Sequence, residues 1–188
     1  MSDSSGYVYD KDGINEEKLN CIMDIKNNKR GRISDYIKKY PKAEFKKNKT
    51  PWEVKCEIAL PSATQNELNG DDAKLLVKNG CICVAEGANM PCNSDAIKTF
   101  KFNKVLFAPG KASNAGGVAV SGLEMAQNSL RYSWSREEVD EKLKEIMIKI
   151  HKKCLKHGKT KDYIDYGKGA NISAFIKVAD AMLAQGVV

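Results

Sequence analysis

Three short stretches of this 188-residue chain carry the residues best suited to chemistry. They are Pro61-Ser62-Ala63-Thr64-Gln65-Asn66, Glu86-Gly87-Ala88-Asn89-Met90-Pro91 and Pro109-Gly110-Lys111-Ala112-Ser113-Asn114-Ala115-Gly116-Gly117. Hydroxyls, carboxamides and glycines dominate them. A carboxamide donates and accepts hydrogen bonds without adding charge, and glycine lets a backbone approach its ligand closely. Such a set holds a polar ligand better than it moves protons. Each asparagine also has a plainer reading, as a turn residue chosen for its backbone tolerance. Glu86 and Asp180 could form an acid pair, but nothing in the sequence places them together. His151 and His157 fall on an amphipathic helix or at its end, where a role at the helix C-terminus is favoured over catalysis.

The cysteines are Cys21, Cys56, Cys81, Cys83, Cys92 and Cys154, with no CxxC pair. Two thiols at Cys81 and Cys83, far in sequence from both histidines, do not make a zinc site. No metal site is expected, and the thiols read as small hydrophobes in a reducing compartment.

Each of the three stretches follows an apolar run and precedes a helix-like segment. The runs are 56–60, 81–85 and 105–108. Short apolar strands alternating with helices indicate an α/β fold with a parallel sheet and crossover helices. In such sheets ligands bind outside the carboxyl ends of the strands, and all three stretches sit at those ends. Helices are expected at 16–27 behind an Asn15 cap, at 32–40 before Pro41, and at 69–79 or 71–79 with Gly80 as the stop. Others are expected at 94–102, 117–132, 136–158 behind a Ser135 capping box, and 170–185. Residues 159–166 read as a polar connection, and Tyr7-Val8-Tyr9 as an edge strand after the polar loop Ser2-Asp3-Ser4-Ser5-Gly6.

Composition is near the globular average, with 42% hydrophobic and 29% charged residues. No apolar run approaches the roughly 20 residues of a membrane helix, and the N-terminus lacks a signal peptide's features. The chain therefore reads as cytoplasmic, with an organelle left open. Net charge is +7. Residues 26–55 hold eleven Lys or Arg against three Asp or Glu. Nucleic-acid binding is one reading of that stretch; without regularly interleaved aromatics, a solvated lysine-rich face is favoured.

Five segments, in order, resemble the glutamate dehydrogenase family. They are the Ser2-Asp3-Ser4-Ser5-Gly6 loop, Ala59-Leu60 through Glu67, Ala85 through Pro91, Phe107 through Val118, and Gly169-Ala170-Asn171-Ile172 with Ala179-Asp180-Ala181-Met182. The wording is closest to the NADP-using hexameric branch. The resemblance implies part of an oxidoreductase that converts L-glutamate reversibly to 2-oxoglutarate and ammonia, and a homohexamer for the full-length chain. It implies an incomplete Rossmann-like, doubly wound, mostly parallel sheet over residues 1–132, lacking its first βα unit, with additional C-terminal helices over 133–188. No GxGxxG occurs. The family's catalytic lysine and aspartate have no counterpart here, so no catalytic residue is assigned and the chain alone is expected to be inactive.

By the same resemblance, Asp3, Ser4 and Lys26 contact the adenosine ribose and its 2′-phosphate. An acid at Asp3 alone would favour NAD; Ser4 and Lys26 tip the balance to NADP. Ala63, Thr64 and Gln65 would line the nicotinamide ribose, and Asn89 and Asn114 would contact the ribose and carboxamide region. Ser121 would hydrogen-bond the substrate carboxylate, with Val118 as its apolar neighbour one turn earlier. Lys111 is not used as a base in the family.

Overall fold

The computed structural model describes residues 1–186. They form two compact units, Met1–Val54 and the remainder from Lys55 onward.

In the first unit, β1 (Ser2–Asp3), β2 (Gly6–Tyr9) and β3 (Glu44–Lys47) make an antiparallel sheet in that order. The 7–9 segment is central, not an edge strand, and Gly6, Tyr7 and Val8 are buried. β3 had no sequence signal, because Lys46 and Lys47 break any apolar alternation. Lysines suit an exposed edge strand, where they discourage pairing with other chains. α1 (Glu16–Met23) starts at Asn15, whose side chain accepts the Lys18 N–H at 2.9 Å. The expected helix continues past Met23 not as α-helix but as a π turn over Asp24–Asn28. The 32–40 segment divides into a 3₁₀ turn, Ile33–Asp35, and the four-residue α2 (Tyr36–Lys39). Val8, Ile22, Ile25, Ile33, Tyr36 and Ala43 form this unit's core. Tyr36 is fully buried, and its hydroxyl donates to Asp10 at 2.7 Å.

In the second unit, β4 (Ile58–Ala59), β5 (Cys83–Ala85) and β6 (Leu106–Ala108) pair in parallel, in sequence order. α3 (Gly70–Lys78) and α4 (Ser94–Phe102) are the crossovers. Right-handed crossovers between sequential strands put both helices on one face, and the two pack together. Asn69 and Asp72 form the capping box of α3, and Gly80 ends it with φ +86°. Asn93 caps α4, which begins at Ser94 as expected. Leu68, Leu76, Val84 and Phe100 are fully buried, and the Phe100 and Phe107 rings stack 6.1 Å apart.

The short α5 (Gly110–Ser113) leads into α6 (Gly116–Leu130). The Ser135–Glu138 capping box opens α7 (Arg136–Gly158) as expected. α8 (Tyr166–Gln185) begins four residues before the sequence reading, because Asp165 at the end of the polar connection accepts the Lys168 N–H at 2.9 Å. α7 and α8 pack against each other. Much of the apolar surface of α6 and α8 stays exposed, including Met125, Leu130, Phe175, Met182 and Leu183. Among the described residues, no helix is long and apolar enough to cross a membrane. The α/β expectation holds. Among the named strands, parallel pairing is confined to β4–β6; β1 and β2 pair antiparallel because the Ser4-Ser5 turn returns the chain directly, and β3 also joins β2 antiparallel.

Candidate functional site

The parallel sheet puts the carboxyl ends of β4, β5 and β6 side by side, and the three loops that leave them are bonded to one another. The first two loops join through backbone: Gly87 N–H donates to the Pro61 carbonyl at 2.8 Å, Asn66 N–H to Met90 at 3.0 Å and Leu68 N–H to Pro91 at 2.9 Å. The second and third join through side chains. Asn114 Nδ2 donates to the Ala88 carbonyl at 3.0 Å and to Asn89 Oδ1 at 2.9 Å. Glu86 Oε1 accepts the Cys92 N–H at 3.2 Å, and its Oε2 accepts the Gly110 N–H at 2.6 Å.

Two glycines permit this closeness. A Cβ on Gly87 would stand 2.3 Å from Ser62 Oγ; one on Gly110 would stand 2.9 Å from the Ala88 carbonyl oxygen and 3.2 Å from Asn114 Nδ2. Ala63, Thr64 and Gln65 form the exposed lip of the first loop. The Ala63 N–H donates to Glu67 Oε1 at 2.8 Å, which closes that loop on itself.

The bonding also fixes what the amides present. Both Asn114 Nδ2 protons have oxygen partners, so its Oδ1 remains as an acceptor. Asn89 uses Oδ1, so its Nδ2 remains as a donor. A neighbouring donor and acceptor match a ligand carboxamide, which offers one of each.

Val118 and Ser121 lie on the exposed opening turns of α6, three residues apart on one side. The Ser121 hydroxyl donates to the Gly117 carbonyl of its own helix at 3.2 Å, and Val118 is 77% exposed. Lys111 donates to Asn171 Oδ1.

In the first unit, Asp3, Ser4 and Lys26 come together as a second cluster. Asp3 accepts from the Ser5 hydroxyl at 2.6 Å, the Ser5 N–H at 2.8 Å, the Ile33 N–H at 2.9 Å and Lys26 Nζ at 3.0 Å. Burial opposes its charge, but these four donors outweigh burial and hold its carboxyl far below the usual carboxylate range. Lys26 sits in the π turn, a widened turn often found at functional positions.

Arg32 completes the cluster, and sequence reasoning missed it. Its Nη1 donates to Ser4 Oγ at 2.6 Å. The signal available was faint: a guanidinium just past Gly31, inside a stretch already read as a solvated basic face. Glu86 was noticed as an acid but not as a link between loops. An acidic residue among small ones, directly after a strand, was its signal.

Among the described residues no three His, Cys, Asp or Glu side chains could hold a metal, and all six cysteines are free. Burial, together with the nearby Glu86 carboxylate, pushes the Cys92 thiol far up.

Comparison with known proteins accords with this geometry. The family model for glutamate/leucine/phenylalanine/valine dehydrogenases matches residues 1–186. Glutamate dehydrogenase of Bacteroides thetaiotaomicron is 60% identical over 188 residues, 100% of this chain and 42% of the relative. The NADP-specific glutamate dehydrogenase of Haemophilus influenzae is 56% identical, and the NAD-specific enzyme of Porphyromonas gingivalis is 54% identical; they cover 99% and 100% of this chain, and 42% of each relative is matched. A solved Plasmodium falciparum glutamate dehydrogenase superposes with a TM-score of 0.93 at 50% identity, covering 100% of this chain and 40% of that one. The chain thus spans about two fifths of the length of the relatives it matches. With its motifs in order and the family model spanning residues 1–186, the chain belongs to the glutamate/leucine/phenylalanine/valine dehydrogenase family.

Proposed function

We propose that these residues bind NADP(H) for an oxidoreductase that interconverts L-glutamate with 2-oxoglutarate and ammonia. In this reading the parallel strands β4–β6 belong to a partial Rossmann-like domain over residues 1–132, and the later helices belong to the wider enzyme, a homohexamer when full-length. The bound nicotinamide supplies the hydride chemistry; the protein here orients it. No catalytic acid or base is assigned within these residues.

The observation that carries NADP over NAD is that Lys26 pairs with Asp3 at 3.0 Å while Arg32 Nη1 donates to the neighbouring Ser4 Oγ at 2.6 Å. Related enzymes named NADP-specific and NAD-specific are about equally similar to the chain, so their names leave the coenzyme open. A lone carboxylate at Asp3 would repel a 2′-phosphate. Here Lys26 neutralises it, and Arg32 and the Ser4 hydroxyl stand ready as donors. Together Asp3, Lys26 and Arg32 carry one net positive charge.

At the loops of the second unit, Ala63, Thr64 and Gln65 line the nicotinamide ribose. The outward donor of Asn89 and acceptor of Asn114 meet the carboxamide. Ser121, once its hydroxyl turns from Gly117, donates to a substrate carboxylate beside Val118.

The test is calorimetric titration of wild type, Lys26→Ala and Arg32→Ala with NADP⁺, NAD⁺ and 2′,5′-ADP. Charge-assisted hydrogen bonds are worth about 1.5–3 kcal/mol. Each variant should therefore lose about 10- to 100-fold in affinity for NADP⁺ and 2′,5′-ADP, while NAD⁺ binding stays within about twofold of wild type. Unchanged NADP⁺ affinity in both variants would overturn the assignment.

A further inference from the structure

We propose that Glu86 is a positioning residue: its carboxylate clamps the second loop to the third and so sets the Asn89–Asn114 amide pair that receives the nicotinamide carboxamide. This rests on the reading of that pair given above.

All of Glu86's polar groups bridge the same two segments. Its N–H donates to the Ala108 carbonyl at 3.0 Å, and its own carbonyl accepts from Ser113 Oγ at 2.6 Å. Its carboxylate accepts the Cys92 N–H from its own loop and the Gly110 N–H from the next. Gly110 begins α5, whose far end is Asn114. The carboxylate thus grips one end of a four-residue helix, and the Asn114 amide at the other end reaches back to Ala88 and Asn89.

Glu86 is buried, 4% exposed. Among the described residues no lysine or arginine pairs with it. A buried carboxylate without a counter-cation is costly unless hydrogen bonds compensate it. Leucine would avoid that cost for the side chain, but it would leave the Cys92 and Gly110 N–H groups unpaired in a buried setting. Two amide donors from two loops call for an acceptor-only group with two oxygens, which an ionised carboxylate is.

Glutamine has nearly the same volume but one oxygen, and its NH₂ would face an N–H donor. It therefore separates an acceptor role from mere space-filling. The experiment titrates wild type, Glu86→Gln and Glu86→Asp with NADPH and with 2′,5′-ADP, following NADPH fluorescence and heat. Glu86→Gln should lose about tenfold or more in NADPH affinity. Its 2′,5′-ADP affinity should stay within about twofold of wild type, because that ligand lacks the nicotinamide half. Glu86→Asp, which keeps both oxygens on a shorter arm, should fall between wild type and Gln.

NADPH affinity unchanged in Glu86→Gln overturns the clamp and leaves the cofactor site standing. Equal losses for both ligands also overturn it, by revealing a general structural role. No NADPH binding by wild type removes the cofactor site and the clamp with it. Should the Gln variant not fold, amide exchange in the wild type decides. NADPH must slow exchange at Cys92 and Gly110 together, and slowing at one alone contradicts the clamp.

Discussion

Phe100→Ala is expected to destabilise the second unit by about 3–5 kcal/mol. Phe100 is fully buried on α4, and its ring stacks on Phe107 of β6 at 6.1 Å. Truncation removes that contact and leaves a cavity between the helix and the strand that carries the third loop. Helix and strand are both tied at their ends, with Asn93 capping α4 and the Val105 N–H bonded to the Phe100 carbonyl at 3.0 Å, so the gap cannot close freely. A domain has only about 5–15 kcal/mol in total, so the loss removes much of the margin. Phe100→Leu keeps most of the volume and should cost less than about 1.5 kcal/mol. Denaturant unfolding followed by far-UV circular dichroism measures both. A loss under 1 kcal/mol for Phe100→Ala would mean that this core does not hold the sheet.

Gly169→Ala should be nearly as damaging, and its sign is the informative part. In an exposed helix the change from glycine to alanine stabilises by about 0.8–1 kcal/mol. Here a Cβ would lie 2.1 Å from the Cys154 carbonyl oxygen and 2.8 Å from its carbonyl carbon. Both are backbone atoms of α7, so no side chain can swing aside. α8 would have to move away from α7, and overpacking of this kind costs about 1–3 kcal/mol or more. We expect a net loss of about 2–3 kcal/mol in the same unfolding assay. Gly122→Ala is the matched control. Gly122 lies in α6, a Cβ there meets nothing within 4 Å, and the substitution should stabilise slightly. Stabilisation by Gly169→Ala would contradict the close α7–α8 crossing.

What was legible in the sequence was what is decided locally. Asn15, Asn69 and Ser135 mark helix starts because a side-chain oxygen meets backbone N–H groups within three residues. The strand–loop–helix rhythm after residue 55 gave the parallel sheet, and with it the side-by-side loops. What escaped is decided by partners distant in sequence. β3 is a strand because β2 offers its edge, not because of its own lysines. The π turn under Lys26 leaves no compositional trace. Arg32 finds Ser4 across 28 residues, and Glu86 finds Gly110 across 24. Residues 159–166 looked like a plain connection because their polarity hides one effective cap, Asp165. The roles proposed for Thr64, Asn89 and Asn114 rest on the family resemblance. Geometry adds that the two asparagines are bonded to each other, which leaves Asn89 Nδ2 as a donor and Asn114 Oδ1 as an acceptor.

The proposed cofactor roles of the Asp3–Ser4–Lys26–Arg32 cluster and, separately, of the three strand-end loops are tested most directly by nuclear magnetic resonance. Isotope-labelled protein would be titrated with NADPH and, separately, with NADH. NADPH should perturb the backbone signals of Ser4, Lys26 and Arg32 together with the side-chain amides of Asn89 and Asn114. NADH, which lacks the 2′-phosphate, should perturb the two asparagines equally and the first cluster less. Shifts confined to the lysines of residues 38–49, or the same pattern for both coenzymes, would contradict these roles.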